Sequence, residues 1–322
     1  MKRVVVALLA LAGMAGLSPA AMADDYPAKP ITIVVPYAPG GGVDVAVRTI
    51  APFLQQRLGQ PVVVDNKPGA ATLIGTEAVA RSAPDGYTLL AISDSLVTNF
   101  ATAKEPRINP ITDLEPIVAT QTSSYLLVVH PSLEVNSLGE LVAKLKANPD
   151  RYNYASSGLG GATHLTTESF LSRTGTKLVH VPLRGAGPII PEILSGRVQL
   201  AFMGLTSIGE PLATGQLKAL ATTDRQRQPS LPDVPTFAEA GVPDFEVVNW
   251  FGLFAPKGTP DAVLDGLNRE VVDIVRSEDV AAKIRATGGK PFGSTRPDFR
   301  TIVDADYARW KSLIATGNIQ LQ

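Results

Sequence analysis

The stretch Ile31 to Asp44, ITIVVPYAPGGGVD, constrains the fold of this chain more than any other. Five consecutive β-formers run into a Pro/Gly turn, and an acid then opens an amphipathic stretch, so the order is strand, glycine loop, helix N-terminus. Val47, Ile50, Leu54 and Leu58 share one face of that helix, which Pro52 is expected to kink or delay. The loop and first-turn amides have no intrahelical acceptors, and the helix dipole favours negative charge in front of them. The unit therefore reads as an anion cradle, and Asp44 also fits as an ordinary helix cap.

What precedes this unit places the chain outside the cytoplasm. Lys2 and Arg3 form a basic start, Val4 to Leu17 an apolar core, and Ala21-Met22-Ala23 a small-x-small cleavage site. The expectation is a signal peptide over residues 1–23, cut after Ala23, because the apolar core falls short of the roughly 20 residues that span a bilayer. Residues 24–322 then form the mature periplasmic protein. With no cysteine in the chain, disulfides, thiolate nucleophiles and Cys-ligated metals drop out. Lys+Arg 29 against Asp+Glu 30, without a basic block, argues against a nucleic-acid partner. No cofactor or metal motif is present.

Downstream, short apolar runs alternate with helical patterns, the signature of an α/β fold with largely parallel sheets. The expected strands are 31–35, 62–64, 87–91, 125–129, 152–155, 178–181, 198–202, 217–221 and 246–254. Leu138, Leu141, Val142 and Leu145 follow a Ser137-x-x-Glu140 capping box, and Leu264, Leu267, Val271 and Ile274 share a face after Thr259-Pro260. Two irregular stretches, 98–116 and 226–237, are expected near hinge crossings. This gives a discontinuous first domain of 24–121 and 224–322 and a second domain of 122–223.

The segments YPAKPITIVVPYAPGGGVD, PVVVDNKPGAATLIGTEAVARSAPDGYTLL, SSGLGGATHL, VHVPLRGAGP, LSGRVQLAF and LPDVPTFAEAGVPDFEVVNWFGLFAPKGTP occur in one order over nearly the whole mature chain. Together they resemble the substrate-binding proteins of tripartite tricarboxylate transporters, the Bug family. The resemblance implies a two-domain periplasmic binding protein, a type II-like Venus flytrap, each domain a mixed sheet flanked by helices. It also implies a monomer that binds a small carboxylate, or an amino acid, without chemistry, and hands it to membrane transporter subunits. A membrane sensor kinase as the receiving partner is the alternative.

In that light Tyr37, Ala38, Pro39, Gly40, Gly41 and Asp44 are expected at the ligand, and PGGG fits no nucleotide fingerprint. Ser156, Ser157, Gly160, Gly161, Ala162, Thr163 and His164 form a second glycine loop from strand to helix, on the opposing domain. His164 reads first as a helix histidine bonded to backbone, since an imidazole titrating near neutrality is a poor permanent anion anchor. A third loop offers Arg184, Gly185 and Ala186, where relatives commonly carry an aromatic and a lysine in place of Leu183 and Arg184. Thr206 ends a further strand. NKPGAATLIG, Trp250 and Phe251 read as structural.

Ser93 and Asp94 lie at the end of the third strand, at the pocket edge of a parallel sheet. Asp94 stands where many relatives have a small neutral residue. It either caps the next helix or faces a cationic group such as an amino-acid ammonium. A periplasmic hydrolase finds no local motif: His130, His164 and His180 sit in no metal pattern, and GLTSIG is one residue too long for a nucleophile elbow. A spatially assembled triad stays open at this point.

Overall fold

The computed structural model describes residues 26–316 other than 71, 103–106 and 184. The expected signal peptide and Arg184 lie outside the described residues. Ten strands, β1 Ile31–Val35, β2 Val62–Asn66, β3 Thr88–Ser93, β4 Leu114–Val129, β5 Asn153–Ser156, β6 Val179–Pro182, β7 Leu200–Gly204, β8 Lys218–Thr222, β9 Val248–Pro256 and β10 Lys290–Pro291, form one connected sheet. Its order is β2-β1-β3-β9-β4-β7-β5-β6, with β8 and β10 also pairing with β4. The helices are α1 Gly42–Leu58, α2 Leu73–Ala80, α3 Ser95–Thr102, α4 Pro110–Asp113, α5 Leu138–Ala147, α6 Ala162–Thr174, α7 Ile189–Leu194, α8 Leu205–Ala213, α9 Asp261–Arg276, α10 Glu278–Ala286 and α11 Arg296–Thr316.

β4 joins the two halves of this sheet. Its first part, Leu114 to Ser124, pairs with β9, and its last, Tyr125 to Val129, pairs with β7. Within each half the β1–β2, β1–β3, β5–β6 and β5–β7 pairs are parallel, and the strands that cross between the halves run antiparallel. Sequence reasoning recovered all the strands except β10 and the first part of β4, of which Leu114 to Pro116 fell in the stretch read as irregular and 117–124 was not assigned. Pro116 supplies no ladder N–H, and the register slips between Pro116 and Val118, which is how a proline enters a strand interior.

Strand alternation builds the core. Ile31, Ile33 and Val35 pack with Val47, Ile50 and Leu54 of α1 and Leu264, Leu267 and Val271 of α9, while Val34, Leu90 and Phe254 join Leu96 of α3 and Phe299 of α11 on the other face. In the second half Leu127 and Val129 face α5 and α6, and Leu126 and Val128 face α7 and α8. α1 runs unbroken with Pro52 inside it, so the proline neither delays nor ends the helix. Segment 224–247, expected from sequence in the first domain, brings two aromatic rings against α6 and β7. Phe237 and Phe245 lie 4.4 Å apart, tilted by 42°, and about 6 Å from Phe170 and Phe202, within the core of the second half.

Candidate functional site

Two glycine loops end parallel strands in opposite halves of the sheet. In the first, β1 gives way to Tyr37-Ala38-Pro39 and three glycines. Gly40 has φ +83°, a conformation open to glycine, and Gly41 is the extended N-cap of α1 at φ −72°, ψ 164°. The Gly40 amide donates to Asp44 Oδ2 at 2.8 Å. Asp44 is 2% exposed, and Arg48 Nε (3.0 Å) and Asn66 Nδ2 (2.9 Å) also donate to it. Asn66 further donates to the Tyr37 carbonyl at 3.1 Å and accepts from Arg48 at 2.8 Å. Burial works to raise the Asp44 pKa, but Arg48, the Gly40 amide and Asn66 outweigh it and hold the carboxyl below its ordinary value. Asp44 thus braces the loop from the side of α1. Arg48 and Asn66, which sequence reading did not single out, complete the brace.

The second loop repeats this backbone. Gly160 has φ +71°, and Gly161 is the N-cap of α6 at φ −73°, ψ 165°. The Gly160 amide donates to Nδ1 of His164 at 3.0 Å, the same four-residue span as Gly40 to Asp44. The expectation of a backbone-bonded histidine therefore describes the contact. Ser157 N–H donates to Thr163 Oγ1 at 3.0 Å, and the two hydroxyls lie 3.0 Å apart. Ser156 Oγ lies 2.7 Å from Nε2 of His180 and 3.1 Å from the Gly158 carbonyl oxygen. Burial, and for His164 also the neighbouring His180, lowers both imidazoles to about 4, so both are neutral at ordinary pH. In front of each loop the first-turn amides of α1 and α6 lack helical acceptors. Ala38, Pro39, Gly40 and Gly41 are exposed there, while Ala162 and Thr163 are buried.

The two halves meet close to the second loop. A Cβ built at Gly160 would fall 2.5 Å from Thr102 Oγ1, so the end of α3 leaves room for glycine alone. At the other end of α3, Tyr37 Oη meets Ser93 Oγ (2.8 Å) and Ser95 Oγ, and Ser95 N–H donates to Ser93 Oγ at 3.2 Å. Asp94 holds the cap position, its carbonyl accepting from Thr98 N–H at 3.2 Å, yet neither carboxylate oxygen meets a donor in hydrogen-bonding geometry. Its side chain is 1% exposed and lies beside Asp306 and Arg309 of α11, and burial with the Asp306 charge pushes its pKa up to about 8. Asp306 is itself committed, accepting from Trp250 Nε1 at 2.7 Å and pairing with Arg309 at 2.9 Å.

Of the remaining sequence candidates, Gly185 joins the second loop by donating to the Ser157 carbonyl at 3.1 Å, Ala186 is exposed beside it, and Thr206 lies in the first turn of α8. Trp250 is buried, as expected of core. Ser156 and His180 form the closest hydroxyl–imidazole pair, but Ser156 has no exposed surface, which closes it to a substrate carbonyl. Among the described residues no group of side chains has the makings of a metal site, and no helix is long and apolar enough to cross a membrane. The arrangement can bind and orient an anion.

Paired strand-end loops on two halves joined by crossing strands define an α/β periplasmic binding protein fold. The chain belongs to the tripartite tricarboxylate transporter family of receptors, whose pattern it matches over residues 46–319. It is 37% identical to Protein BugT of Bordetella pertussis over 98% of both chains. Among solved structures it is similar to Rpa4515 of R. palustris with adipate, with a TM-score of 0.86, 34% identity, and 92% and 99% of the two chains covered. It is also similar to MatC of Rhodopseudomonas palustris with bound malate, with a TM-score of 0.82, 28% identity, and 90% and 100% covered. As a transporter receptor it is a binding protein and not an enzyme.

Proposed function

We propose that this protein captures a small carboxylate between the loops at Tyr37–Asp44 and Ser156–His164 and presents it to the membrane subunits of a tripartite transporter. The observation that carries the reading is the matched pair of loops, each with a left-handed glycine, an extended glycine N-cap and a side chain four residues on that braces the loop from behind. Two dipole-backed rows of amides from opposite halves suit a ligand with oxygens at both ends. Relatives seen with adipate and with malate carry ligands of that kind. Asp94 lies against Asp306 and is closed to solvent, so the reading asks for a carboxylate and not for an ammonium group.

In this reading the hinge passes through β4 near Ser124 and returns at Thr223 and Val247, where Thr223 bonds both Tyr125 and Val247. The signal peptide directs export and is then removed by cleavage after Ala23. A ligand with one end on each half favours the closed form through its differential affinity. Protein refolded free of bound solute is screened by thermal shift against mono- and dicarboxylates, with calorimetry on the hits. A ligand at 100 times its dissociation constant adds about 2.7 kcal/mol of stability. Small-angle scattering then reports a smaller radius of gyration with ligand. An unchanged radius at saturation removes the clamshell, and failure of every carboxylate removes the ligand class.

A further inference from the structure

The second loop rests on a feature that the first lacks. Behind it, three rings from three elements lie nearly parallel: Tyr154 of β5, His180 of β6 and His164 of α6. His180 is 4.1 Å and 6° from His164 and 4.6 Å and 9° from Tyr154. β5 and β6 set this up, because Tyr154 and His180 are partners in the parallel register, while Tyr154 donates through its hydroxyl to Glu168 on α6.

The hydrogen-bond accounting gives His180 a defined task. Ser156 Oγ sits between Nε2 of His180 (2.7 Å), the Gly158 carbonyl (3.1 Å) and the Gly158 amide (3.3 Å). A hydroxyl has one proton. If Nε2–H of His180 donates to Ser156 Oγ, the serine proton is left for the Gly158 carbonyl and all the groups are satisfied together. The Gly160 amide in turn requires a lone pair on Nδ1 of His164, which places that ring's proton on Nε2. Both glycines with positive φ in this loop, Gly158 at +140° and Gly160 at +71°, are thereby held through the two stacked imidazoles.

We propose that His180 is a positioning residue for the carboxylate cradle: through Ser156 Oγ and the ring of His164 it holds the loop Ser156–Gly161 in the shape that aims the α6 amides at the ligand. This rests on the function proposed above. His180 touches no ligand, and it acts by removing the loop's freedom before binding, so that less ordering is left to oppose association.

The test compares His180→Leu, which removes both the donor and the aromatic face, with His180→Gln, which returns a donor to Ser156. Adipate and malate are the probes, read by calorimetry. The expected result is about a 10-fold loss of affinity in His180→Leu and recovery to within about threefold of wild type in His180→Gln, with melting temperatures of the two variants alike. Affinity that follows melting temperature instead of the donor makes the residue merely structural and overturns the proposal. A ligand-free measurement stands beside it: amide exchange at Gly158 and Gly160 speeds up in His180→Leu and not in His180→Gln. Unchanged exchange in both overturns the proposal whatever the protein binds. Failure of the wild type to bind any carboxylate strikes the function reading and leaves the exchange result to decide this one.

Discussion

The two glycine loops share a backbone and differ in what braces it. At Gly40 the brace is a carboxylate whose charge is met by the amide, Arg48 and Asn66; at Gly160 it is a neutral imidazole that burial keeps unprotonated. The same turn is thus held by opposite chemistries, and the fields in front of them differ. An acid in the first turn of α1 offsets part of the positive helix end, whereas α6 has no acid in its first turn. The comparison teaches that a buried charge behind a strand-end loop is tolerated where donors answer it. At Asp94, at the neighbouring strand end, burial and the Asp306 charge outweigh Arg309, Ser93 and Ser95, and neither carboxylate oxygen has a donor in hydrogen-bonding geometry.

The largest expected effect tests that last contrast. Asp94 titrates near 8 in the folded protein against 3.8 in its absence of burial, so the folded state holds the extra proton and wild-type stability is lost as pH rises from about 4 through about 8. Each pKa unit is worth about 1.4 kcal/mol. Asp94→Asn is therefore expected to gain several kcal/mol over wild type at pH 8 and almost nothing at pH 4, read by urea denaturation at both pH values. An equal difference at the two pH values would show that Asp94 is answered after all.

Next in size, Gly160→Val drives a Cβ into Thr102 and forces a left-handed residue to carry a branched side chain. Affinity for a confirmed carboxylate should fall at least about 100-fold, or about 2.7 kcal/mol. Gly41→Val should cost less, because Gly41 is extended and its Cβ would lie 3.5 Å from the Ala38 carbonyl, leaving only obstruction of the ligand. Calorimetry on both variants ranks the loops, and a larger loss at Gly41 would reverse the ranking.

Smaller effects follow from the braces themselves. Asp44→Ala strands the Gly40 amide, Arg48 and Asn66 and should cost about 2 kcal/mol of stability at neutral pH. Because the Asp44 pKa is held low, its contribution is present above the ordinary carboxylate range and fades as pH falls through the folded value, so the variant and wild type should converge in acid. His164→Gln keeps an acceptor for the Gly160 amide and should lose about 1 kcal/mol or less. Its pH profile has the opposite sense to that of Asp94: the unfolded chain protonates His164 below about 6.5 while the folded one waits until about 4, so wild-type stability falls as pH drops across that interval. Guanidinium titrations from about pH 2 to about pH 8 on wild type and the two variants separate these slopes, and a flat His164 profile would remove burial as its cause.

The sequence alone determined the βα order and both glycine loops, because each is written in adjacent residues: period-2 apolar runs, glycines where the chain must turn, and a small residue at each N-cap. Ile31–Val35 and Asn153–Ser156 with the helices after them were legible for that reason. The reach of β4 was hidden by Pro116, and the approach of Phe237 and Phe245 to Phe170 and Phe202 was not legible, since those contacts join residues far apart in the chain. Tertiary structure likewise decided which polar residues work behind the loops. Asn66, Arg48 and His180 carry no local signal, and Asp94 reads as a helix cap until Asp306, more than two hundred residues later, is folded against it. Local geometry follows from backbone preferences, which neighbouring residues set; charge compensation and ring stacking depend on partners that only the packed chain brings together.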